Sequence, residues 1–261
     1  MTSFTKIRKS KFHLILEIIP LVIIAAGIKT LIHYADWEII PKELTSFFPS
    51  ILTGIIFILG FLLAGVVSDY KESEKIPNEM ASSLYVIWRE AKSTFQNFQA
   101  KEAANLMDKI KMFIPMLKHN FFVKVDREIF KLLDAMYEDI IPLEKHIAPP
   151  TVIRMKNEQA NLRKLLSRVE VIKKTDFIPS VFVSLKAISI IFLAVYCLLT
   201  VETWWVGVLL ISIFTFVIFS IVFLISDMED PFEYNESGES NSDEISLDIL
   251  NQLAKDIETN E

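Results

Sequence analysis

Four long apolar stretches constrain the fold of this chain more than any other feature. A helix needs about 20 mostly apolar residues to cross a bilayer, and each stretch is long enough. They are Phe12–Ile32, Phe47–Ser68, Phe177–Val201 and Trp204–Ile225. Glu17 and Pro20 interrupt the first stretch and no small-residue cleavage site follows it, which argues against a cleaved signal peptide. We therefore predict four membrane-spanning helices.

Basic residues near the span ends predict the orientation. They are Lys6, Arg8, Lys9 and Lys11 before the first span, Lys71 and Lys75 after the second, and Lys173 and Lys174 before the third. The two short connections hold only Lys42 and no other Lys or Arg. Because cytoplasmic segments carry the excess of Lys and Arg, both termini and the long middle segment are predicted to be cytoplasmic, in a plasma or inner membrane. The spans then form two hairpins, with Trp37, Trp204 and Trp205 in an outer aromatic belt.

The predicted fold is an all-α membrane protein with a helical cytoplasmic region. Its segments are a basic N-terminus (1–11), a first transmembrane hairpin (12–68), a cytoplasmic helical region (69–176), a second hairpin (177–225) and an acidic cytoplasmic tail (226–261). The middle region repeats apolar residues at helical spacing, which predicts three to five helices and no strands. Pro115, Pro142 and the pair Pro149-Pro150 are predicted to separate these helices.

The tail is strongly acidic, with twelve Asp or Glu and one Lys between Asp227 and Glu261. Its centre is too polar to bury enough apolar surface for an ordered structure. Five apolar residues close to the end could instead form a short docking helix. They are Ile245, Leu247, Ile249, Leu250 and Leu253.

The sequence offers no pattern typical of catalysis. A single cysteine, Cys197, excludes an internal disulfide, and the four His residues (13, 33, 119 and 146) show no metal-ligand spacing. Neither a nucleophile–base pair nor a glycine-rich phosphate loop is present. We predict that the protein is not an enzyme and has no cofactor, no metal site and no nucleic-acid partner.

Ionisable residues inside spans are costly in hydrocarbon and therefore informative. Lys29 lies one turn from the end of its span and is predicted to extend its ammonium outward to water, and Glu17 can do the same at the inner end. Lys186 leaves two alternatives open. It is interfacial if the hydrocarbon begins later than Phe177; otherwise it faces a partner or an aqueous path and would attract anions.

The second span carries an unusual pattern. Thr53, Phe57 and Phe61 occupy positions i, i+4 and i+8, which form one slightly slanted stripe on a helix. Small residues thin the neighbouring faces and would let helices approach closely. They are Gly54, Gly60, Ala64 and Gly65. The stripe fits two interpretations: a lipid-facing surface beside helix contacts, or the lining of a pore.

Three stretches resemble the bestrophin family of anion channels. "IRKSKFHLILEIIP" is similar to the family's entry into its first span, "FILGFLLAGVVSDY" to its pore-lining helix, and "FLISDMEDPFEY" to the signature after its last span. The order of hairpin, cytoplasmic helices, hairpin and acidic tail is also similar. The family's basic, aromatic pair after the pore helix is replaced by Asp69-Tyr70-Lys71, so the chain resembles a divergent member.

This resemblance implies a homo-oligomer, a pentamer, that conducts anions such as chloride across the lipid bilayer. Thr53, Phe57 and Phe61 would form its hydrophobic neck. The signature residues Glu229, Asp230, Pro231 and Phe232 would act as a structural clasp, with Phe232 packing under the membrane domain. The acids Glu233, Glu236, Glu239, Asp243 and Glu244 are too spread out for the calcium clasp of animal members. The alternative function is a membrane-anchored helical scaffold that binds a cytoplasmic partner without conducting ions.

Overall fold

The computed structural model of the chain describes residues 13–122, 125–174, 179–228, 232 and 245–259. This part of the chain contains eight α-helices and two 3-10 helices, Lys42–Phe47 and Ile141–Lys145. The α-helices are α1 (His13–Tyr34), α2 (Phe48–Phe98), α3 (Lys101–Phe122), α4 (Arg127–Ile140), α5 (Pro149–Lys174), α6 (Pro179–Cys197), α7 (Trp204–Met228) and α8 (Asp248–Thr259). Within the described residues, β pairing is limited to one isolated bridge between Ile40 and Leu199. The all-α prediction is confirmed for this part of the chain.

The chain divides into two compact units. The first, called the membrane unit here, comprises residues 1–70 and 176–229, and the second unit comprises residues 71–175 and 230–261. The boundary between residues 70 and 71 falls inside α2. The basic N-terminus and the acidic centre of the tail lie outside the described residues.

Three helical segments are long and apolar enough to cross a membrane. They are Ile15–Tyr34, Lys42–Phe98 and Trp204–Met228. The chain is therefore an integral membrane protein. The predicted third span is represented by α6, whose described apolar part, Val181–Cys197, is shorter than the others. Its membrane crossing, and with it the count of four spans, stays a prediction.

The membrane unit is held together by regularly spaced buried faces. α1 packs along α7, and α7 turns one face inward at intervals of three or four residues, as a helix must. That face comprises Gly207, Ile211, Thr215, Ile218, Val222 and Ile225. Tyr196 of α6 joins this core with its ring edge-on to Phe48 and Phe214, at centroid distances of 5.4 and 5.1 Å. Dispersion and ring geometry favour such contacts where lipid provides no hydrophobic driving force.

The second unit is built from the part of α2 after residue 70 and from α3, α4, α5 and α8, around a core of aliphatic and aromatic side chains. Asp126 begins α4 by accepting a hydrogen bond from the Glu128 N–H, as a helix cap does. The Pro149-Pro150 pair opens α5, where a missing N–H costs nothing. Pro115 was predicted to separate two helices, but it lies inside α3. It is on the exposed side of that helix, while neighbouring Phe113, Ile114 and Leu117 are buried and stabilise the helix on the other side.

The docking helix predicted near the C-terminus is confirmed for Ile249, Leu250 and Leu253, whereas Ile245 and Leu247 are buried just before it begins. α8 packs on α3 and buries Leu250, Leu253 and Ile257. The Ser246 hydroxyl accepts a hydrogen bond from the Asp248 N–H at 3.2 Å and so begins the helix. A helix of twelve residues is marginal alone in water, so burial of this apolar face provides most of its stability.

Candidate functional site

In its membrane part, α2 has two faces of different character. Ile55, Leu59, Leu62 and Val66 are buried in the core of the membrane unit, with exposed fractions between 0% and 6%. At 100° per residue, these four positions fall within about 60° of one another. The opposite face of the helix therefore points away from the core of its own chain.

Thr53, Phe57 and Phe61 lie on that opposite face. The two Phe side chains are each 74% exposed in the single chain, and Thr53 is also exposed. The Thr53 hydroxyl donates to the Pro49 carbonyl at 2.7 Å, so its proton is satisfied within the helix. The stripe is thus a free surface of one chain, and its role as a neck stays a prediction.

The small residues beside the stripe make few contacts within the chain. A Cβ atom added at Gly54 or Gly60 would meet no atom of the described residues within 4 Å. Ala64 is exposed and Gly65 is half-buried. Gly54 and Gly60 therefore make no close helix contact within the described part of the chain, so their predicted packing role requires another molecule.

The chemistry of this face differs from that of the exposed face of α1. α1 exposes large aliphatic side chains, namely Leu16, Ile19, Ile23, Ile24, Ile28 and Leu31. On the face of Thr53, Phe57 and Phe61, α2 exposes the two Phe rings among small and hydroxyl-bearing residues, namely Ser50, Gly54, Gly60, Ala64 and Ser68. Ile51 and Ile58 are also exposed, but they lie to one side of this face. Lipid tails favour the first kind of surface, whereas water or a tightly packed helix favours the second.

Lys186 of α6 is half-buried, and its ammonium lies 4.0 Å from the centre of the Phe182 ring. Phe182 precedes it by one turn, so this cation–π contact is local and partly offsets the cost of placing a charge near hydrocarbon. Glu17, near the N-terminal end of α1, is exposed.

Lys29 does not extend to water, so that prediction is wrong. Its side chain is 1% exposed, and its ammonium donates to Glu38 Oε1 (2.8 Å) and to the carbonyls of Cys197 (3.2 Å) and Leu199 (2.5 Å). Cys197 is the last residue of α6, where helical carbonyls lack partners. Those carbonyls and Glu38 provide a buried alternative to solvent. Glu38, the acid nine residues after Lys29, was one signal in the sequence that could have predicted this buried ion pair.

The C-terminal signature is described only at Phe232, because Glu229, Asp230 and Pro231 lie outside the described residues. Phe232 is 1% exposed and its ring centroid is 5.3 Å from that of Phe121 at the end of α3. The Phe121 carbonyl accepts a hydrogen bond from Lys173 at 2.5 Å. Phe232 therefore anchors the chain after α7 within the second unit.

Among the described residues, no group of three or more His, Cys, Asp or Glu side chains could hold a metal ion. The acids compared with the calcium clasp, residues 233 to 244, lie outside that part of the chain.

No protein-family model matches the chain, and no curated protein is significantly similar to it in sequence. Solved structures are similar. A bacterial bestrophin homologue from Klebsiella pneumoniae has a TM-score of 0.75 at 16% identity, covering 93% of this chain and 97% of that one. A variant of a Klebsiella pneumoniae bestrophin homologue gives 0.76 at 15% identity over 94% and 97%, and a protein described as a membrane protein gives 0.76 at 15% over 92% and 97%. The chain thus has the fold of the bacterial bestrophin homologue along nearly its whole length.

Proposed function

We propose that the protein is one subunit of an oligomeric anion channel and that α2 of each copy lines a central path. One observation carries the proposal: the face of α2 that is free in the single chain combines Phe57 and Phe61 with Gly, Ser and Thr. The exposed face of α1, by contrast, carries large aliphatic side chains. The bestrophin fold and the resemblance of the α2 sequence to a pore helix support the same assignment.

The neck follows from repetition of this face around an axis. Five copies of Phe57 and Phe61 form two apolar rings, which close the path by excluding water when they approach. An aromatic ring is positive at its edge, so edges directed at the path favour anions over cations. Weakly hydrated anions would shed water here more easily than chloride does. Thr53 gives the neck a wetter end.

The proposed subunit has four spans in two hairpins. α6 contains 19 residues, or about 28 Å of helix, close to the roughly 30 Å of a hydrocarbon core. The distribution of Lys and Arg supports cytoplasmic termini, and the proposed location is a plasma or inner membrane. Lys186 would attract anions towards the inner entrance, and the stretch 229–232 would act as a clasp at the exit from α7.

Contacts between copies would use the small residues of α2. Gly54 and Gly60 leave space that the described part of the chain does not fill, and Ala64 and Gly65 extend the thin surface. Small residues are what close helix packing in lipid requires. A pentamer places one α2 from each copy next to the axis.

The second candidate is a membrane-anchored scaffold. It is favoured by large apolar side chains on the surface of the second unit, among them Met112 (63% exposed), Ile153 (57%) and Phe98 (52%). Such side chains suit a protein partner, and copies of the same subunit would cover them equally well. In the scaffold, the α2 stripe faces lipid and no ion crosses.

The test begins with a subunit count by native mass spectrometry. A pentamer is then reconstituted in liposomes and chloride efflux is measured for the wild type, Phe57→Ala and Phe61→Ala. Both substitutions should raise efflux, since a wider and less apolar ring lowers the cost of wetting the neck. Phe216→Ala is the matched control, because Phe216 is an exposed Phe (42%) on α7 and its loss should leave efflux unchanged.

The channel proposal fails if a correctly assembled oligomer shows no efflux in the wild type and in both α2 variants. It also fails if Phe216→Ala alters efflux as much as Phe57→Ala does. A monomer or simple dimer would leave no central path and would favour the scaffold.

A further inference from the structure

We infer that Lys29 is a positioning residue for the entrance of the proposed pore. It ties together the α1–α2 connection (residues 35–47) and the α6–α7 connection (residues 198–203), and the first of these leads directly into α2. Its meaning for conduction rests on the proposed function, whereas its role in the membrane unit does not.

The ammonium group of Lys29 is fully used. It has three N–H donors, and the structure gives it three acceptors: Glu38 Oε1 and the carbonyls of Cys197 and Leu199. The Glu38 carboxylate, 11% exposed, neutralises its charge. The two carbonyls lie at the negative end of α6, which favours a cation. With every donor satisfied, Lys29 is equipped to hold structure and not to bind a permeating anion.

A glycine makes room for the lysine stem. A Cβ atom at Gly207 of α7 would lie 3.1 Å from Lys29 Cε and 3.3 Å from Val201 Cγ2. Both distances are shorter than comfortable carbon–carbon contact. The side chain of Lys29 therefore passes α7 where that helix has no side chain, which is an observation independent of the hydrogen bonds.

The two connections also meet through their backbones. The Ile40 N–H donates to the Leu198 carbonyl (3.1 Å) and the Thr200 N–H donates to the Ile40 carbonyl (2.9 Å). Glu38 lies two residues before Ile40. Lys29 therefore bonds both sides of this small bridge, one through a carboxylate and the other through two carbonyls.

The position of Ile40 carries forward to α2. The 3-10 helix Lys42–Phe47 begins two residues later, and α2 follows it directly from Phe48. Phe48 is buried against Phe192 and Tyr196 of α6. Thr53 is five residues further along the same helix. A shift of the bridge would therefore move the end of α2 that carries the proposed neck.

The same Glu38 oxygen lies 3.3 Å from His33 Nδ1. The His33 ring stacks on Trp204, the first residue of α7, with centroids 6.4 Å apart. The Lys29–Glu38 pair thus connects α1, α2, α6 and α7 at one end of the membrane unit.

The chain provides a matched control. Lys42 and Glu202 also join the two connections, at 3.1 Å, but their side chains are 57% and 78% exposed. An exposed pair contributes little because water screens both charges. Lys42→Met removes a lysine bridge between the same segments without creating a buried unpaired charge.

The first measurement is hydrogen exchange on the full chain in nanodiscs, comparing peptides that contain Ile40 and Thr200. Lys29→Met leaves a largely buried carboxylate and two carbonyls without their donor, so exchange should accelerate by about a hundredfold. Glu38→Gln keeps the shape and one acceptor oxygen, so it should accelerate exchange by about tenfold, whereas Lys42→Met should change it by less than about twofold.

The second measurement is the ratio of chloride to gluconate efflux from liposomes, in which the number of folded channels cancels. This ratio should shift by about threefold in Lys29→Met, in Glu38→Gln and in the double variant. Because both substitutions act through one contact, the shift in the double variant should not exceed the larger of the two single shifts. Lys42→Met should leave the ratio unchanged.

Unchanged exchange in both Lys29→Met and Glu38→Gln would overturn the inference, as would equal loosening by Lys42→Met. Loosened connections with an unchanged efflux ratio would overturn the role at the entrance. If Lys29→Met does not assemble, Glu38→Gln decides by the same criteria. If the wild type conducts no anion, the proposed function fails, and the exchange measurement alone still decides whether Lys29 holds the two connections together.

Discussion

Leu59 and Phe57 should separate the stability of the membrane unit from conduction. They are two residues apart on α2 and face opposite directions: Leu59 is 0% exposed in the core and Phe57 is 74% exposed. Leu59→Ala should lower stability with little effect on the permeation path. Phe57→Ala should do the reverse.

The magnitude for Leu59 follows from the space it fills. Removing three carbon atoms leaves a cavity of at most about 80 Å³, which at about 24 cal/mol per Å³ corresponds to about 2 kcal/mol. The transfer part of the usual Leu→Ala cost is small here, since lipid tails are as apolar as leucine. For a chain of this length, the loss lowers the midpoint of thermal unfolding by about 4–8 °C.

The assay is thermal unfolding of the assembled protein in nanodiscs, followed by tryptophan fluorescence, beside chloride efflux from liposomes. Leu59→Ala should show the fall in midpoint and near wild-type efflux per assembled oligomer. Phe57→Ala should show a smaller fall and higher efflux. If Phe57→Ala lowers the midpoint as much as Leu59→Ala and leaves efflux unchanged, the Phe stripe is a packing surface and the reasoning from its exposure is refuted.

Two further substitutions test the second unit. Phe232→Ala removes a ring that is 1% exposed and packs against Phe121, so it should lower the free energy of unfolding by about 3–5 kcal/mol and raise the rate of proteolysis in that unit. Phe232→Leu should have a smaller effect on both. If Phe232→Ala resists proteolysis as well as the wild type does, an anchoring role is excluded. Leu250→Ala removes a side chain that is 0% exposed, from the face of α8 that packs on α3, so amide exchange across α8 should accelerate. Gln252 is exposed, and Gln252→Ala should leave the exchange unchanged. Equal exchange in both variants would contradict the packing of α8 on α3.

Local periodicity predicted most of the helices and their buried sides. In the middle region, the apolar residues at helical spacing include Leu106, Ile110, Phe113, Ile114 and Leu117, and all five are buried in α3. Near the C-terminus, Leu250 and Leu253 lie on the buried face of α8. These features depend on residues three and four apart, which the sequence displays directly. The first span was predicted to end at Ile32 and α1 ends at Tyr34, a difference within the usual uncertainty of helix ends.

The end of a span proved different from the end of a helix. The change from apolar to charged residues after Ser68 marks where hydrocarbon should stop, but Asp69, Tyr70 and Lys71 are all compatible with a helix, and α2 continues through Pro77 to Phe98. It stops where Gln99 adopts a φ of 53° and its N–H donates to the Phe95 carbonyl. A left-handed residue of this kind commonly ends a helix, yet glutamine gives no sign of it in the sequence.

The site at Lys29 depended on partners that periodicity cannot show. Its carbonyl acceptors are 168 and 170 residues away, whereas Lys186 finds the Phe182 ring one turn away on its own helix. Topology does provide a signal. In the predicted hairpins, the first and third spans run in the same direction, so their C-terminal ends lie at the same level. A lysine one turn before the end of the first span is therefore level with the unpaired carbonyls that end the third. Lys173, which donates to the Phe121 carbonyl at the end of α3, repeats the arrangement in the second unit. A lysine near the end of a buried helix should thus be assigned to a neighbouring helix end before it is assigned to solvent.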